Sequence, residues 1–375
     1  MSTNKKIRKR GEGSIAYEKS RKKYRVAFFD NEGNRHYQRF DNEADAAAFL
    51  VAQRNDINNN NFVAPSDALF GRWALDWLKT YKKDSVRPST YDYYKFLVGY
   101  LKPLAGLKLQ EVTPLNVQQL YKELLKKVSA NTTHKVHSTL VGIFSKAYRL
   151  GLIRKNIMDS VDAPHFEKKD IQIFTKAEIA KILQTCASHP ILKKKYAAVL
   201  LAATTGMRKG EVLGLRRCDV FPRTKQIFIR KILVRAGGDL IMGNPKTKAS
   251  VRKLIVYDQT MIELQKLLDR LPKNDEQLCF VSARNNPIEP TAFDKFWHSV
   301  LRDAGIGYKK FHTLRHTYAT NLLAAGEPII EVSRRLGHSK VSHTLELYGH
   351  AIPDYDRTLV ENTKNLYQLP IRRYG

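Results

Sequence analysis

Acidic residues are scarce in this chain, and the imbalance dominates its electrostatics. The 375 residues include 36 aspartates and glutamates against 65 lysines and arginines, which gives a formal net charge of +29 at pH 7. An excess of this size argues against an ordinary surface of balanced charge and indicates a polyanionic partner. Nucleic acid is the first candidate for that partner, and an anionic membrane surface is the second.

Long apolar runs are missing as well. Hydrophobic stretches are broken by charge within about ten residues, well short of the roughly 18 that a bilayer-spanning helix needs. The basic N-terminus MSTNKKIRKRGEGS has no apolar segment behind it, so we expect neither a secretory signal nor a membrane role. The cysteines are odd in number and far apart, which is typical of free thiols in a reduced cytoplasm rather than of disulfides or a zinc site. They are Cys186, Cys218 and Cys279.

Residues 1–61 are predicted to form a three-stranded sheet backed by one helix that opens at Asn42. Between Lys5 and Arg39 the chain has 12 basic residues against 4 acidic ones, so the sheet is strongly positive. One interpretation is a small sheet whose exposed face happens to be basic, and the other is a DNA-binding module. The strands are predicted at Gly13–Tyr17, Tyr24–Phe29 and Arg35–Phe40. The candidate DNA-binding residues are Lys22, Lys23, Arg25, Arg35 and Arg39.

Residues 67–160 carry the apolar periodicity of an all-helical domain. Thr113-Pro114 is a capping residue followed by proline at the first helical position, which is a strong start signal. The polar stretch from Pro164 to Asp170 links this domain to the next. The apolar stripe of its first helix consists of Leu69, Trp73, Trp77 and Leu78.

Residues 171–375 are predicted to be mostly helical with a small insert of strands. Thr175 and Glu178 form a capping box ahead of an apolar-periodic helix. The chain as a whole is therefore predicted to be a multidomain, mainly α protein with small β-sheets, in the α+β class. The strands are expected at Ile227–Val234 and Arg252–Val256, and helices are expected from Met261, Thr291 and His312.

The segment Phe311–His350 concentrates residue types that can break a DNA strand. His312 and Arg315 are three apart, on one face of a helix, and His338 follows in a Leu-Gly-His-Ser turn with Tyr348 ten residues later. Arginine forks bind phosphate oxygens, imidazoles donate or relay protons, and a tyrosine can form a phosphate ester.

Together with Arg208 at a helix start and Lys246 between two strands, these residues resemble the pattern of the tyrosine recombinase, or phage integrase, family. The resemblance implies an N-terminal arm-type DNA-binding domain, a helical core-binding domain and a mixed α/β catalytic domain. It implies a site-specific DNA recombinase that cuts and rejoins DNA through a 3′-phosphotyrosyl intermediate. Such an enzyme integrates and excises a phage or another mobile element without metal or ATP.

The two arginines would neutralise the anionic phosphodiester as charge grows at the transition state. Arg208 follows Gly206, whose missing side chain lets a phosphate approach the backbone closely. Taken alone, Arg208 is equally a surface residue at a helix start, and Arg315 is equally an ordinary ion-pair partner. Glu211 is expected to orient a histidine or an arginine.

Imidazoles and a lysine would handle the protons. His312 is suited to be the general base or proton relay for the phenol, because an unperturbed imidazole titrates near neutral pH. His338 would donate a hydrogen bond to a non-bridging phosphate oxygen. Lys246 would protonate the leaving 5′ oxygen from a hairpin turn, with Lys248 two residues away as the alternative.

Tyr348 would be the nucleophile. Its position after His338 and the family match at Leu-Tyr-Gly-His select it over Tyr318 and Tyr355. Because a phenol attacks poorly at its ordinary pKa, we expect the neighbouring cations to lower the pKa of Tyr348.

A metal site is the alternative for His312 and His316, which have i,i+4 spacing. The glutamate that follows the first histidine in such motifs is absent, and no third ligand stands at a recognisable distance. We therefore expect no metal and no other cofactor, and we interpret His316 as a structural residue.

The resemblance also defines the expected partners. The first is double-stranded DNA with core-type and arm-type attachment sites, on which the chain would assemble as a homotetramer. An excisionase and a host DNA-bending protein are compatible further partners. The location would be the cytoplasm of a bacterial host cell, associated with the nucleoid. The tail after Tyr348 would pack onto a neighbouring subunit.

Three competing classes share part of this pattern. Type IB topoisomerases use the same chemistry, and chromosome dimer resolvases share the last two domains but begin near the equivalent of residue 65. The basic N-terminal module therefore favours a mobile-element integrase. A DNA-binding repressor or architectural protein with a decayed active site is disfavoured, because all six positions hold competent residue types.

Overall fold

The computed structural model describes residues 13–59, 62–167, 170–189 and 195–352. The chain divides into two compact units, Met1–Glu167 and Lys168–Gly375. Within the described ranges, no helix is both long enough and apolar enough to cross a membrane.

The first unit begins with an antiparallel sheet covered by one helix. Its elements are β1 Ser14–Glu18, β2 Lys23–Phe29, β3 Arg35–Phe40 and α1 Glu43–Asn58. As predicted, Asn42 caps α1, and its side chain accepts a hydrogen bond from the Asp45 backbone N–H at 2.8 Å. Val26 and Phe28 on one face of β2 pack against Leu50 of α1. Because side chains alternate along a strand, Arg25, Ala27 and Phe29 lie on the opposite face, where Phe29 is 47% exposed.

A helical bundle forms the rest of the described part of this unit. Its helices are α2 Phe70–Trp77, α3 Pro88–Gly99, α4 Pro114–Leu125 and α5 Ala130–Arg149. Thr113 caps α4 through a capping box with Asn116, as the Thr-Pro signal predicts. Trp77 is buried as expected, whereas Leu69 is 45% exposed. Leu69 was misplaced in the stripe because it precedes α2 as its N-cap and pairs with Lys108 in an isolated bridge.

The asparagine run Asn58–Asn61 predicts a flexible linker, and contacts on both sides hold the neighbouring chain in place. Asp56, near the end of α1, is buried and forms an ion pair with Arg154. The Gln110 side-chain amide donates to the Ala64 carbonyl at 2.9 Å. Residues 60–61 of the linker lie outside the described residues, so its expected flexibility stays a prediction.

The second unit is mostly helical, with two small antiparallel sheets. Its helices are α6 Lys176–Ser188, α7 Tyr196–Thr205, α8 Lys209–Leu213, α9 Asp258–Leu268, α10 Pro290–Asp303, α11 Thr313–Ala324, α12 Ile329–Leu336 and α13 Val341–Tyr348. Its strands are β4 Val220–Phe221, β5 Gln226–Ile229, β6 Ile232–Ala236, β7 Asp239–Gly243 and β8 Arg252–Ile255. The capping box predicted at Thr175 is present, with the Thr175 hydroxyl accepting from the Glu178 N–H at 3.1 Å. Phe293 and Trp297 of α10 lie at the centre of the apolar core.

The predicted strand over 227–234 was wrong, because this run is two strands in different sheets. β5 lies between β4 and β8, whereas β6 pairs only with β7 among the described strands. The chain changes sheets at Arg230, whose Nε donates to the buried Asp219 carboxylate at 2.6 Å. The loop from β7 to β8 consequently crosses from one sheet to the other.

Candidate active site

A left-handed turn between α7 and α8 presents Arg208. Gly206 ends α7 with a φ of 67°, and a Cβ at this position would lie 2.7 Å from Tyr318 and 2.9 Å from Leu336. Glycine is required there both for the backbone conformation and for the close packing of α7 against α11 and α12. Arg208 is the N-cap residue of α8, and its side chain is 37% exposed.

Glu211 holds two arginines in place from a buried position. Its carboxylate accepts from Arg208 Nη1 at 2.8 Å and from both Nη atoms of Arg252, at 3.2 and 3.1 Å. Burial alone would raise the pKa of Glu211, but the charges of Arg252 and Arg208 outweigh burial and hold that pKa below its ordinary value. The expectation that Glu211 orients an arginine fits this geometry. Arg252 was missed, because nothing local in the sequence links it to Glu211.

Arg315 is 2% exposed, and its guanidinium joins separate parts of the unit. Nη1 donates to the Gly206 carbonyl at 2.9 Å, and Nη2 donates to the Leu336 carbonyl at 2.9 Å and to His338 Nε2 at 2.8 Å. Burial, together with the charge of Arg208, lowers the pKa of Arg315 to about 9. Arg315 therefore stays positively charged at neutral pH.

His338 lies between Arg315 and Thr344. Because the guanidinium can only donate, Nε2 is an acceptor and Nδ1 carries the hydrogen toward Thr344 Oγ1, 2.7 Å away. Burial and the charge of Arg315 lower the pKa of His338 to about 3, so this imidazole is neutral at neutral pH. Gly337 ends α12 with a φ of 73° and turns the chain so that His338 faces Arg315.

Tyr348, the last residue of α13, is 1% exposed. Its hydroxyl oxygen lies 2.6 Å from Nδ1 of His316. Burial raises the pKa of Tyr348, and the charges of Arg315 and Arg208 offset only part of that rise. The expectation that the neighbouring cations lower the pKa of Tyr348 was wrong, because burial outweighs the two cations.

His312 precedes α11 as its N-cap residue and contacts His316 rather than the tyrosine. The two rings meet edge to face with 4.7 Å between their centroids. Burial, followed by the nearby His316 and Arg315, lowers the pKa of His312 to about 4. Among the described residues, the hydrogen bond to the phenol is made by His316, which the sequence had indicated only as structural.

Lys246 is exposed in the crossover loop between β7 and β8, and not in the hairpin turn that was expected. A cavity of about 280 Å³ opens beside this loop and is lined by Arg208, Lys246 and His338 together with His343. Lys248 is not among the lining residues, so the geometry favours Lys246. A larger groove of about 1080 Å³ in the same unit includes only His338 of the six candidate residues.

No group of three or more histidine, cysteine or carboxylate side chains that could hold a metal ion occurs in the part of the chain that the structure describes. His312 and His316 have no third such ligand beside them there. The His312 ring instead contacts the His316 ring, and His316 contacts Tyr348.

The candidate DNA-binding residues lie on or beside the outer face of the N-terminal sheet. Arg25 is opposite Arg39 in the strand register, and Arg35 is opposite Phe29. Arg25 and Arg39 both form ion pairs with Glu18, a partner that the sequence did not indicate. The Glu18 carboxylate lies 2.8 Å from Arg39 and 3.2 Å from Arg25. The two lysines lie at the edge of this face, with Lys22 in the turn before β2 at a φ of 50° and Lys23 paired with Asp41 at 3.0 Å.

Comparison with known proteins adds sequence similarity to this geometry. The model of the phage integrase family matches residues 172–354. A tyrosine recombinase XerC-like protein of Caldanaerobacter subterraneus subsp. tengcongensis is 28% identical over 359 residues, covering 87% of this chain and 89% of the relative. The ICEBs1 integrase of Bacillus subtilis is 23% identical over 295 residues, covering 75% of this chain and 78% of the relative.

Solved structures share the fold. The Tn1549 transposon integrase in complex with a circular intermediate DNA superposes with a TM-score of 0.69 at 20% identity, covering 79% of this chain and 99% of that one. The lambda integrase tetramer bound to a Holliday junction gives a TM-score of 0.60 at 16% identity, covering 93% of this chain and 98% of that one.

Proposed function

Since this chain belongs to the phage integrase family and is a tyrosine-type site-specific DNA recombinase, we propose that Tyr348 is its nucleophile and that the residues around it form the phosphate-binding centre. Tyr348 attacks the scissile phosphate, forms a 3′-phosphotyrosyl ester and releases a 5′-hydroxyl. One observation carries this assignment. Arg208, Lys246 and His338 line one cavity, and the Arg315–His338 hydrogen bond joins that cavity to α11, whose His316 contacts Tyr348. The test is to incubate the protein with nicked duplexes that together cover the DNA flanking the coding region, and to look for a covalent protein–DNA adduct.

The arginines stabilise the developing charge. Arg208 is fixed by Glu211 and presents its guanidinium to the cavity, so little reorganisation is needed when a phosphate enters. Arg315 lies behind His338 and contributes a second positive charge. Two guanidinium forks match the oxygens of a phosphate better than two ammonium groups.

His338 donates to the phosphate after a change of tautomer. In the chain without DNA, Nε2 accepts from Arg315. When the phosphate accepts the hydrogen bonds of the guanidinium, Nε2 is released and can carry the hydrogen instead. Thr344 permits this change, because a hydroxyl can donate to Nδ1 as readily as it accepts from it.

Tyr348 is protected until DNA binds. Tyr348 is 1% exposed and its pKa is raised, so the phenol is neutral and shielded from solvent. The phosphate and the arginines then supply the environment in which the phenol becomes reactive.

Lys246 protonates the leaving 5′ oxygen. We expect Lys246→Ala to slow cleavage of an ordinary phosphodiester by at least about 10²-fold, the lower range for losing a general acid. A substrate with sulfur in place of the bridging 5′ oxygen should restore most of that rate, since a thiolate leaves without a proton. Single-turnover cleavage of the two substrates measures both effects.

The matched control is Lys248→Ala, which removes another exposed lysine that does not line the cavity. It should cleave both substrates at nearly the normal rate. If the sulfur substrate rescues Lys248→Ala and not Lys246→Ala, the general acid is Lys248.

Rejoining reverses the cleavage step with a different strand. A 5′-hydroxyl from a partner duplex attacks the phosphotyrosyl ester, and Tyr348 leaves as the phenol. Ester exchange conserves the bond energy, so the reaction requires neither ATP nor a metal ion. Exchange between two duplexes cuts four strands, and four strands need four tyrosines, so we propose a homotetramer on double-stranded DNA.

The first unit supplies further DNA contacts. We propose that residues 1–61 form an arm-type domain, that residues 67–160 form a core-binding domain and that residues 171–375 form the catalytic domain. The outer face of the N-terminal sheet, with its arginines stacked on Tyr37, would enter a major groove at the arm sites. The excisionase, the host DNA-bending protein and the location at the host nucleoid stay predictions. The C-terminal tail and the tyrosine at 355 lie outside the described residues.

Deleting residues 1–62 should abolish recombination between full attachment sites and spare cleavage of a short core-site duplex. All six candidate catalytic residues lie beyond residue 170, so the chemistry should survive. Affinity for long DNA should fall and its salt dependence should flatten, because each lost phosphate contact removes about 0.9 from the slope of log K against log salt. Recombination and gel-shift assays at several salt concentrations measure these changes. Full-site recombination at the normal rate by the truncated chain would show that the module is dispensable.

A further inference from the structure

His316 makes the closest polar contact that the structure records for the proposed nucleophile. Its Nδ1 lies 2.6 Å from the Tyr348 hydroxyl oxygen, within the range of a short O–H to nitrogen hydrogen bond. The two rings are tilted by 54° with centroids 5.6 Å apart, so the contact runs through the ring nitrogen rather than through stacking.

The architecture of the second unit sets this contact. His316 lies in the first turn of α11, directly after Arg315 and four residues after His312. Tyr348 closes α13, and the hydrophobic cluster that contains its ring also draws on α11 and α12. Neighbouring residues of one helix thus serve the two halves of the site. Arg315 contacts His338 beside the cavity, and His316 contacts Tyr348.

The protonation state suits a proton acceptor. Burial, and then the charge of Arg315, lower the pKa of His316, so its imidazole is neutral at neutral pH. The phenol of Tyr348 is also neutral, because burial raises its pKa. A neutral phenol facing a neutral imidazole nitrogen can donate its proton along the existing hydrogen bond.

We propose that His316 is a catalytic residue and that its Nδ1 takes the phenolic proton as Tyr348 attacks the phosphate. This inference rests on Tyr348 being the nucleophile. The O–H bond of Tyr348 breaks and an N–H bond forms on His316, while the Oη–P bond forms and the bond from phosphorus to the 5′ oxygen breaks. Lys246 supplies the proton to that 5′ oxygen. Rejoining runs the same transfers backward.

The surrounding charges couple this transfer to DNA. The titratable and charged groups around His316 are Arg315 and His312 on its own helix segment and Tyr348 on α13, with Arg208 and Glu211 beyond His312. An imidazolium beside Arg315 is unfavourable unless a negative charge lies nearby. The charge of a bound phosphate offsets that repulsion, so the proton moves only when substrate is present. His312 then acts as the relay behind His316.

His316→Asn separates a base from a structural residue. The asparagine amide occupies nearly the position of Nδ1 and keeps a polar contact to the phenol, but it does not hold a proton at neutral pH. We expect cleavage of a nicked core-site duplex at pH 7 to slow by about 10²- to 10³-fold, within the range of general base catalysis. The matched control is His298→Asn on the exposed side of α10, which should cleave at the normal rate.

The pH dependence gives the decisive reading. The wild-type rate should fall as pH drops through the pKa of His316, because the protonated ring cannot accept. The rate of His316→Asn should instead rise about tenfold per pH unit up to pH 9, since its phenol must lose the proton to hydroxide. The ratio of the two rates therefore shrinks as pH rises. A ratio that stays constant from pH 6 to 9 would mean that His316 is structural.

A measurement on the wild-type chain covers the case in which His316→Asn folds poorly. Nitrogen chemical shifts of labelled histidines distinguish the two neutral tautomers. We expect Nε2 of His316 to carry the hydrogen in the wild type, and we expect Tyr348→Phe to change the nitrogen shift of its Nδ1. A hydrogen on Nδ1 in the wild type would overturn the proposal, because that nitrogen would then donate to the phenol.

These outcomes separate the inference from the function on which it rests. A covalent adduct that persists in Tyr348→Phe would contradict the assignment of Tyr348 as the nucleophile, and the proposed function would fail with it. A normal adduct on Tyr348, together with a ratio of wild-type to His316→Asn rates that does not change with pH, would contradict only the role of His316.

Discussion

Tyr348→Phe is expected to eliminate the covalent protein–DNA adduct completely and to leave affinity for a core-site duplex within a few-fold. The change removes one oxygen atom, and with it the only group on this side chain that can form a phosphate ester. The ring still fills its place in the cluster with Leu336 and Val332, so the fold should survive. Losing the hydrogen bond to His316 should cost about 1 kcal/mol of the free energy of unfolding. Adduct formation on a nicked duplex, gel shifts and urea unfolding measure the three quantities.

Tyr318→Phe is the matched control. Tyr318 lies on α11 in the same unit, and its hydroxyl contacts Arg335 instead of the candidate site. It should form the adduct at the normal rate. An adduct in Tyr348→Phe that disappears in a double variant with Tyr318→Phe would assign the chemistry to Tyr318.

Replacing either arginine with lysine should cost about 2–4 kcal/mol of transition-state stabilisation, the scale of one strong donor to a developing oxyanion. The structure predicts that the two variants differ in stability. Arg315 satisfies the buried Gly206 and Leu336 carbonyls in diverging directions, and a lysine cannot reach both. Arg315→Lys should therefore also lower the free energy of unfolding by about 1–3 kcal/mol. Arg208→Lys should slow cleavage with little effect on stability, because Arg208 is 37% exposed.

Single-turnover cleavage and urea unfolding distinguish these effects. Arg302→Lys is the control, since Arg302 forms an exposed ion pair with Asp303 on α10. DNA affinity should stay near normal in all three variants. Cleavage within a few-fold of normal in Arg208→Lys or Arg315→Lys would contradict the assignment of that arginine.

Local signals in the sequence were reliable guides to the fold. Thr113-Pro114 and the capping box of Thr175 mark helix starts that the structure confirms, because capping depends on residues three positions apart. The mainly helical α+β class is confirmed as well, and so is the resemblance to the phage integrase family, whose model matches residues 172–354. The candidate catalytic residues could be selected without a structure, because their chemistry depends on residue type and their spacing can be read from the sequence.

Non-local geometry was beyond the sequence. The run at 227–234 looked like one strand because both halves are apolar, and only strand pairing separates them. Arg252 reaches Glu211 across 41 positions, and His316 reaches Tyr348 across 32. Neither pair has a periodicity that would reveal it. The pKa of Tyr348 was misjudged for the same reason, because burial depends on how α11, α12 and α13 pack.

The most direct test of the central claim is to locate the DNA-linked residue by mass spectrometry. The wild-type adduct on a nicked core-site duplex would be digested with nuclease and then with trypsin. Cleavage after Lys340 and Arg357 yields one peptide that contains both Tyr348 and Tyr355, and its fragment ions separate the two. We predict that the nucleotide remnant is on Tyr348. A remnant on Tyr355, on Tyr318 or on any other residue would contradict the account.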